Sequence, residues 1–560
     1  MRTLLKGGKV VNVFTDEVEK NDILIEDGII IGVGEYDDAE VIEDLDGKFI
    51  CPGFIDSHIH IESTMMTPKE FSNAVVPHGT TAVVTDPHEI ANVCGIDGIK
   101  YMLKMSENLP LDVYVMLPSC VPATPNDESG AVLKASDLET LYEENRVLGL
   151  AEMMNYPGVL FGDEDVLQKI EDAKKRGMAV DGHAPMLSGE SLDKYVSAGI
   201  MSDHECSSLS EALEKIRKGQ HIMIRQGTAA KNLQDLISLF DEPWSRRCLL
   251  ATDDKHPEDF FKEGHIDGII RKAVELGKSP ITGIRLATIQ AAEYFGLDKV
   301  GAIAPGYRAD LLVLDDLDTI KIRDVYKNGE RIVSERELIK KTKASNDACY
   351  DSIVKSTFNL KVLRDEDFYI HPESDKCRVI KVLPHQIITD EEIENLDFKK
   401  NNGIDTDRDI LKISVIERHH NTGHMGVGFI KGIGMKKGAI ASSVSHDSHN
   451  LIVIGTSEAD MACAANRVAE LGGGYVAVAD GVVLAELPLP VAGLMSEESA
   501  EKITELNVTL NNVISSLGVA EDIEPLMHMA FVSLSVIPNL KLSTRGLIDV
   551  NSQKIVSLFV

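Results

Sequence analysis

Positive charge is what this chain has least of. Lysine and arginine number 57 against 90 aspartates and glutamates, a formal net charge of −33 over 560 residues. A surface that acidic repels phosphate backbones and anionic lipid headgroups, which argues against nucleic-acid and membrane-surface partners. A free nucleobase carries no phosphate and stays admissible. The eight cysteines (Cys51, Cys94, Cys120, Cys206, Cys248, Cys349, Cys377 and Cys463) are scattered, with no CxxC pair. That pattern speaks against a disulfide framework, and a reduced cytoplasm is the expected setting. No apolar run reaches the roughly 18 residues of a membrane span. Residues 1–13 lack the charged start, long apolar stretch and cleavage site of a signal peptide. The glycines of Leu471–Gly474 miss the GxGxxG spacing and read as a helix end, and neither Ser119 nor Ser188 has the surroundings of a catalytic triad.

What is present is an ordinary globular composition, 43% hydrophobic and 26% charged, in a chain long enough for three or four domains. The first fifty residues carry short β-type runs separated by Gly and Asp turns, and the same texture returns at Asp310–Val333. One small β-sandwich domain built from both flanks, 1–52 and 300–340, is expected. Between them, eight apolar runs alternate with amphipathic stretches: FIDSHIH, TTAVVTDP, DVYVMLPSC, VLGLAEMM, GMAVDGHAP, GIMSDHEC, HIMIRQGT and CLLATDD. Buried parallel strands read as unbroken apolar runs, and helical crossovers between them predict a distorted (β/α)₈ TIM-like barrel over 53–299. An open doubly wound sheet is the alternative. A polar stretch follows Lys340, and 378–560 reads as a separate α+β domain.

Ionisable residues close five of the eight runs: His58 and His60 the first, Glu152 the fourth, His183 the fifth, His204 the sixth and Asp253 the eighth. In a parallel barrel all strand C-termini meet on one face. His58 and His60 lie two apart on a strand and so point the same way. Taken singly, each could be a satisfied core group. Six converging N and O donors would be costly if buried unpaired, whereas metal ions satisfy them together. The donor count favours two cations: His58, His60 and Asp253 on one, His183 and His204 on the other, Glu152 between. Such a pair can hold a bridging hydroxide as nucleophile, with Asp253 carrying its proton to a leaving group.

The segments PGFIDSHIHIE, DGHAP, SDHE, TDD and GAIAPGYRADLLVLDD together resemble the amidohydrolase superfamily of metal-dependent hydrolases over about residues 1–340. The resemblance implies a distorted barrel with a small β-sandwich. Within that superfamily the chain is similar to the adenine deaminases. Glu152 in GLAEMMN stands where hydantoinase and dihydroorotase relatives place a carboxylated lysine. The segments TAVVTDPHEIANVCG, ASSVSHDSHNLIVIG and ADGVVLAELPLPVAGLMS extend the match to nearly the whole chain. The family implies hydrolysis of adenine to hypoxanthine and ammonia in purine salvage, with Mn²⁺ or Fe²⁺ as the metal and Zn²⁺ as an alternative.

Other residues are candidates on this reading. His88 and Glu89 follow the second run, either as catalytic groups, with Glu89 or a metal-bound water protonating N1, or as a loop-ordering pair. Asp254 could accept a hydrogen bond from the purine's imidazole edge, or support its neighbour. Arg225 and Gln226 could touch substrate, or Arg225 could pair with a barrel acid. His446, Asp447, His449 and Asn450 form a solvated turn, a loop capping the barrel mouth, or a separate metal site. Rival functions are deamination of another base, cyclic-amide hydrolysis, and a metal-free scaffold. A homodimer or larger homo-oligomer is expected, since the extra domain needs a packing partner.

Overall fold

A computed structural model describes residues 2–228, 230–339 and 348–560. The first residues of the polar stretch expected after Lys340, 341–347, lie outside the described residues. All eight central runs form strands: β1 (Phe54–Ile59), β2 (Thr80–Thr85), β3 (Asp112–Leu117), β4 (Val147–Met153), β5 (Ala179–Gly182), β6 (Ser202–Asp203), β7 (His221–Arg225) and β8 (Cys248–Ala251). Every residue of β1, β2 and β8 is buried, as expected of strands covered on both faces. Strands β1 to β5 pair in parallel in one sheet, and β6 to β8 in another.

Two seams close these sheets into a barrel. At β8–β1, Asp253 bridges Ile59 in parallel, and Asp253 N donates to the His58 carbonyl at 2.9 Å. At β5–β6, Met201 N donates to the Val180 carbonyl at 3.0 Å. An open sheet would leave both edges free, so closure decides for the barrel.

The two flanks do form one unit. Phe49–Pro52 pairs in parallel with Arg2–Asn12 and antiparallel with Leu311–Leu314, within a continuous nine-stranded sheet. Its ends curl together, because Ile30 and Tyr326, from distant strands, share a core with Leu5, Ile50 and Leu311. This sheet is pinned to the barrel by Lys327. Its Nζ, on a residue 6% exposed, donates to Asp112 (2.8 Å), Asp310 (2.9 Å) and the Thr81 carbonyl (2.9 Å).

The C-terminal region is an eight-stranded sheet followed by a three-stranded one. Side chains alternate across a strand, and here the alternation divides two jobs. Ala439, Ala441, Val453, Val476 and Val478 pack under the helix Glu458–Leu471, which ends on Gly472 at φ 74°, as the glycine run suggested. Ile440, Ile452, Ile454, Tyr475 and Ala477 face the other way, into a core continuous with barrel residues such as Ile59, Met65 and Phe71. The region therefore docks on the barrel through one apolar sheet face. Among the described residues no helix is long and apolar enough to cross a membrane.

Removing one partner of a buried ion pair strands the other. Lys327→Met should therefore lower the unfolding free energy by about 3 kcal/mol, read as a reduced midpoint in urea; an unchanged midpoint would mean that Arg308 alone neutralises Asp112 and Asp310.

Candidate active site

The strand ends deliver their ionisable residues to one point. Glu152, at the end of β4, is 3% exposed and central. Its Oε1 lies 3.4 Å from His60 Nε2 and 3.6 Å from His88 Nδ1, while its Oε2 lies 2.6 Å from His183 Nδ1 and 3.1 Å from His204 Nε2. Each oxygen thus faces a different set of imidazoles. Asp253, just past β8, places Oδ1 3.2 Å from His58 Nε2, 3.5 Å from His60 Nε2 and 3.8 Å from His204 Nε2. Overlapping groups of donors lie close enough to hold cations, among them His58–His60–Asp253, His58–Glu152–His204 and His183–His204–Glu205.

Local bonds aim these side chains. His60 Nδ1 donates to the Asp86 carbonyl at 3.0 Å, which leaves Nε2 as the free lone pair. Ser119 Oγ donates to the Glu152 carbonyl at 2.5 Å, and buried Lys169 braces that loop through the Ser119 and Leu133 carbonyls. The fit to metal ions rests on two atoms. His58 Nε2 and His204 Nε2 are buried without a hydrogen-bond partner, although carboxylate oxygens stand within 3.2 Å. Their lone pairs point into shared space, an arrangement that N and O donors adopt around a divalent ion.

The segment 443–450 reaches from the C-terminal sheet to this cluster. His446 Nδ1 lies 2.6 Å from Glu89 Oε1, and His449 Nε2 bonds the other oxygen, so one barrel carboxylate is gripped by two imidazoles of the other domain. The His446 ring stacks on Phe531, centroids 4.7 Å apart, and buried Arg418 bonds the His449 carbonyl. Both His446 and Asp447 are at least 90% buried, which a solvated turn would not be. Asp447 Oδ1 lies 3.9 Å from His88 Nε2, and its Oδ2 has no hydrogen-bond partner. Beside the triad opens a cavity of about 470 Å³, walled by Glu62, Glu89, Asp254 and His446 on one side and by Ile514, Leu526 and Phe531 on the other.

Two residues named for substrate contact are committed elsewhere. Arg225 pairs with Glu205 and with Asp253 Oδ2 at 3.1 Å, the ion-pair alternative. Asn450 donates to the Glu128 carbonyl at 2.7 Å, tying the segment to the loop after β3, and it is not on the cavity wall. Asp254 does line the cavity, with Ser63 Oγ donating to it at 2.5 Å. Gln226 is buried with Nε2 unbonded. Asp86 and Glu205 also stand in the cluster, and Glu62 lies on the cavity wall, none of them marked by the strand-end pattern. Asp86 Oδ2 holds His88 Nδ1 at 3.0 Å, and Glu205 stands 3.5 Å from His204 Nε2. Both are acids beside a strand-end histidine, in TDPHE and SDHEC, and that adjacency was the available signal.

Burial opposes charge on Glu152, Asp253 and His183, yet attraction to their neighbours wins at all three, whereas at Asp447 burial prevails and raises the carboxyl to about 6. Glu152 is held well below the usual carboxylate range, chiefly by His183, and Asp253 likewise by Arg225. His183 is raised to about 9 by Glu205 and Glu152 against its burial. In the metal-free chain that ion pairing is complete below the unfolded histidine pKa of about 6.5 and is lost as pH rises through about 9.

Two outcomes follow from this geometry. A cation must displace the proton on His183, so metal affinity should rise with pH between the ordinary histidine range and about 9, with protons released on binding; calorimetry in buffers of different ionisation enthalpy reads this directly, and zero release would contradict it. Glu152→Gln turns one shared oxygen into an amide and should lower the occupancy of every bound ion, by about 10- to 100-fold in affinity; full metal content with unchanged turnover would exclude a bridging position.

Comparison with known proteins agrees with this architecture. The amidohydrolase family matches residues 49–332, and the adenine deaminase C-terminal domain matches 386–554. Adenine deaminase 2 of Carboxydothermus hydrogenoformans is 46% identical over 558 residues, covering 99% of this chain and 96% of that protein. The adenine deaminase of Clostridium acetobutylicum is 46% identical over 98% of this chain and 96% of its own length. That of Bacillus subtilis is 41% identical over 99% and 96%. A match of this extent, through the barrel and through the domain that supplies His446 and His449, places the chain in the adenine deaminase family of the amidohydrolases.

Proposed function

We propose that the chain hydrolyses adenine to hypoxanthine and ammonia, with two divalent cations, Mn²⁺ or Fe²⁺ before Zn²⁺, held by His58, His60, Glu152, His183, His204 and Asp253. The observation that carries this reading is the grip of His446 and His449 on Glu89, which sets an ionised carboxylate, able to take a proton from water and pass it on, between the donor cluster and a cavity large enough for a purine. Divalent ions bound there supply Lewis acidity and make water a nucleophile at neutral pH.

The remaining work falls to side chains. A C6–O bond forms and the C6–N bond to the amino group breaks, so one water proton must reach N1 and the other the departing amine. Glu89 takes the N1 transfer. Its ionised form is secured, against burial, by His446 and His449, and His446 itself is raised to about 9 by Glu89. Asp253 takes the second transfer, with Arg225 holding its other oxygen in place. Asp254, oriented by Ser63, accepts an N–H from the imidazole edge of the purine. The C-terminal domain closes the cavity over these groups and limits water to the reacting one. A neutral base meets no opposition from a chain of net charge −33, and eight free cysteines suit a reducing cytoplasm.

The direct test is anaerobic loading with Mn²⁺, Fe²⁺ or Zn²⁺, followed by ammonia release from adenine, adenosine, guanine and cytosine. Adenine alone should react; turnover of guanine or cytosine in its place would overturn the substrate. Glu89→Gln should cost about 10²- to 10⁴-fold in kcat, the usual worth of a general acid–base group, with metal content intact. His449→Ala should act in the same direction, and normal kinetics in both variants would return the triad to a structural role.

A further inference from the structure

His183 and His204 sit at the ends of β5 and β6, strands that belong to different sheets. A hydrogen-bonded ladder therefore does not hold these two side chains in register. Beyond the Met201–Val180 main-chain bond and the Ser202–Asp181 side-chain bond, what ties the two strand-end loops together is a buried cation. Lys215, on the helix Leu209–Arg217, has a fully buried side chain and places Nζ 3.1 Å from Asp203 Oδ2, 2.8 Å from Glu211 Oε1 and 2.8 Å from the Ala184 carbonyl. The ammonium donates to Glu211 and to the Ala184 carbonyl, and Asp203 stands at ion-pair distance.

Each partner leads directly to a histidine. Asp203 precedes His204; its Oδ2 also accepts Ala184 N at 2.9 Å, beside His183, and its Oδ1 accepts Glu205 N at 2.7 Å. Glu211 accepts Met186 N at 2.8 Å and Ser207 N at 3.1 Å, one from each loop. Both histidine-bearing loops thus close on one ammonium, whose charge Asp203 sustains against burial. The opposite seam is built differently. There Asp253 N donates to the His58 carbonyl, and His60 N to the Asp253 carbonyl at 3.4 Å. Asp56 Oδ1 accepts both His58 N (3.2 Å) and Thr252 N (3.1 Å). Main-chain bonds between the ligand-bearing residues themselves, with Asp56, hold His58, His60 and Asp253, whereas the loops carrying His183 and His204 lie past the Met201–Val180 bond and are joined through Lys215 and Asp203.

We infer that the two halves of the metal centre are held independently, and that Lys215 and Asp203 are positioning residues for the His183–His204 half alone. The inference rests on the two-cation reading above. It predicts two ions of unequal fate when the seam is cut.

The test compares the parent chain with Lys215→Met and Asp203→Asn after Mn²⁺ loading, measuring bound metal, the electron paramagnetic resonance spectrum and thermal unfolding. The parent should hold two ions with a spin-coupled spectrum. Folded Lys215→Met should keep one ion, show an uncoupled six-line spectrum, and bind the second about 10- to 100-fold more weakly. Asp203→Asn has one acceptor oxygen fewer but leaves Lys215 paired with Glu211, so it carries the test should Lys215→Met not fold. Two tightly bound, coupled ions in the folded variant would overturn the inference, as would loss of both ions together. A parent that binds a single ion would remove the two-cation reading, and this inference with it.

Discussion

A carboxylate buried at the end of a barrel is tolerable only among positive charge, and Glu152 is such a group. Both of its oxygens face imidazoles, two per oxygen, and those imidazoles arrive from the ends of β1, β5 and β6 and from the start of the helix after β2. Desolvation penalises every charge in this cluster, and only mutual compensation holds it together. The residues around it follow from that demand. Asp86 and the brace of Lys169 steer the ligands, while Arg225 balances Asp253 and Glu205. Divalent cations discharge the same debt of charge more completely than protons can, which is why the donor set fits them.

The second domain enters through geometry of the same kind. A barrel alone leaves Glu89 at an open mouth. The C-terminal sheet turns one apolar face to the barrel core and sends the segment 443–450 from the end of its buried strand Ala439–Ser442 onto that carboxylate. Apolar docking holds the region on the barrel, and polar side chains at its edge reach Glu89. Arg418 beneath His449 and Phe531 against His446 keep those two rings in place. The candidate site is therefore assembled from two regions whose residues lie more than 350 positions apart, 357 for Glu89 and His446.

Closing eight strands from two sheets leaves two seams, and both fall beside members of the donor cluster. This placement is a consequence of where the strand ends converge. A ladder spreads its holding force over many backbone bonds, whereas a seam concentrates it in a few groups, main-chain bonds with Asp56 at β8–β1 and Asp203 with Lys215 at β5–β6. The donor cluster thus inherits whatever rigidity the seams possess.

The order of strands, the barrel class and the six converging donors were legible in the sequence because they are periodic. Apolar runs repeat, and each places its ionisable residue at the same end, so convergence follows from parallel pairing without coordinates. Residues whose role depends on a partner distant in sequence were not legible. Arg225 could equally have faced substrate or an acid until the fold set Glu205 and Asp253 beside it. Asn450 stood in one motif with His446 and His449, yet it turns to the Glu128 carbonyl. Lys215 looked like any helical lysine, with nothing local to mark its burial. Local pattern determined which chemistry this chain could perform. Tertiary packing decided which side chains perform it, because hydrogen bonds and ion pairs are set by distance in space, and distance along the chain does not report it.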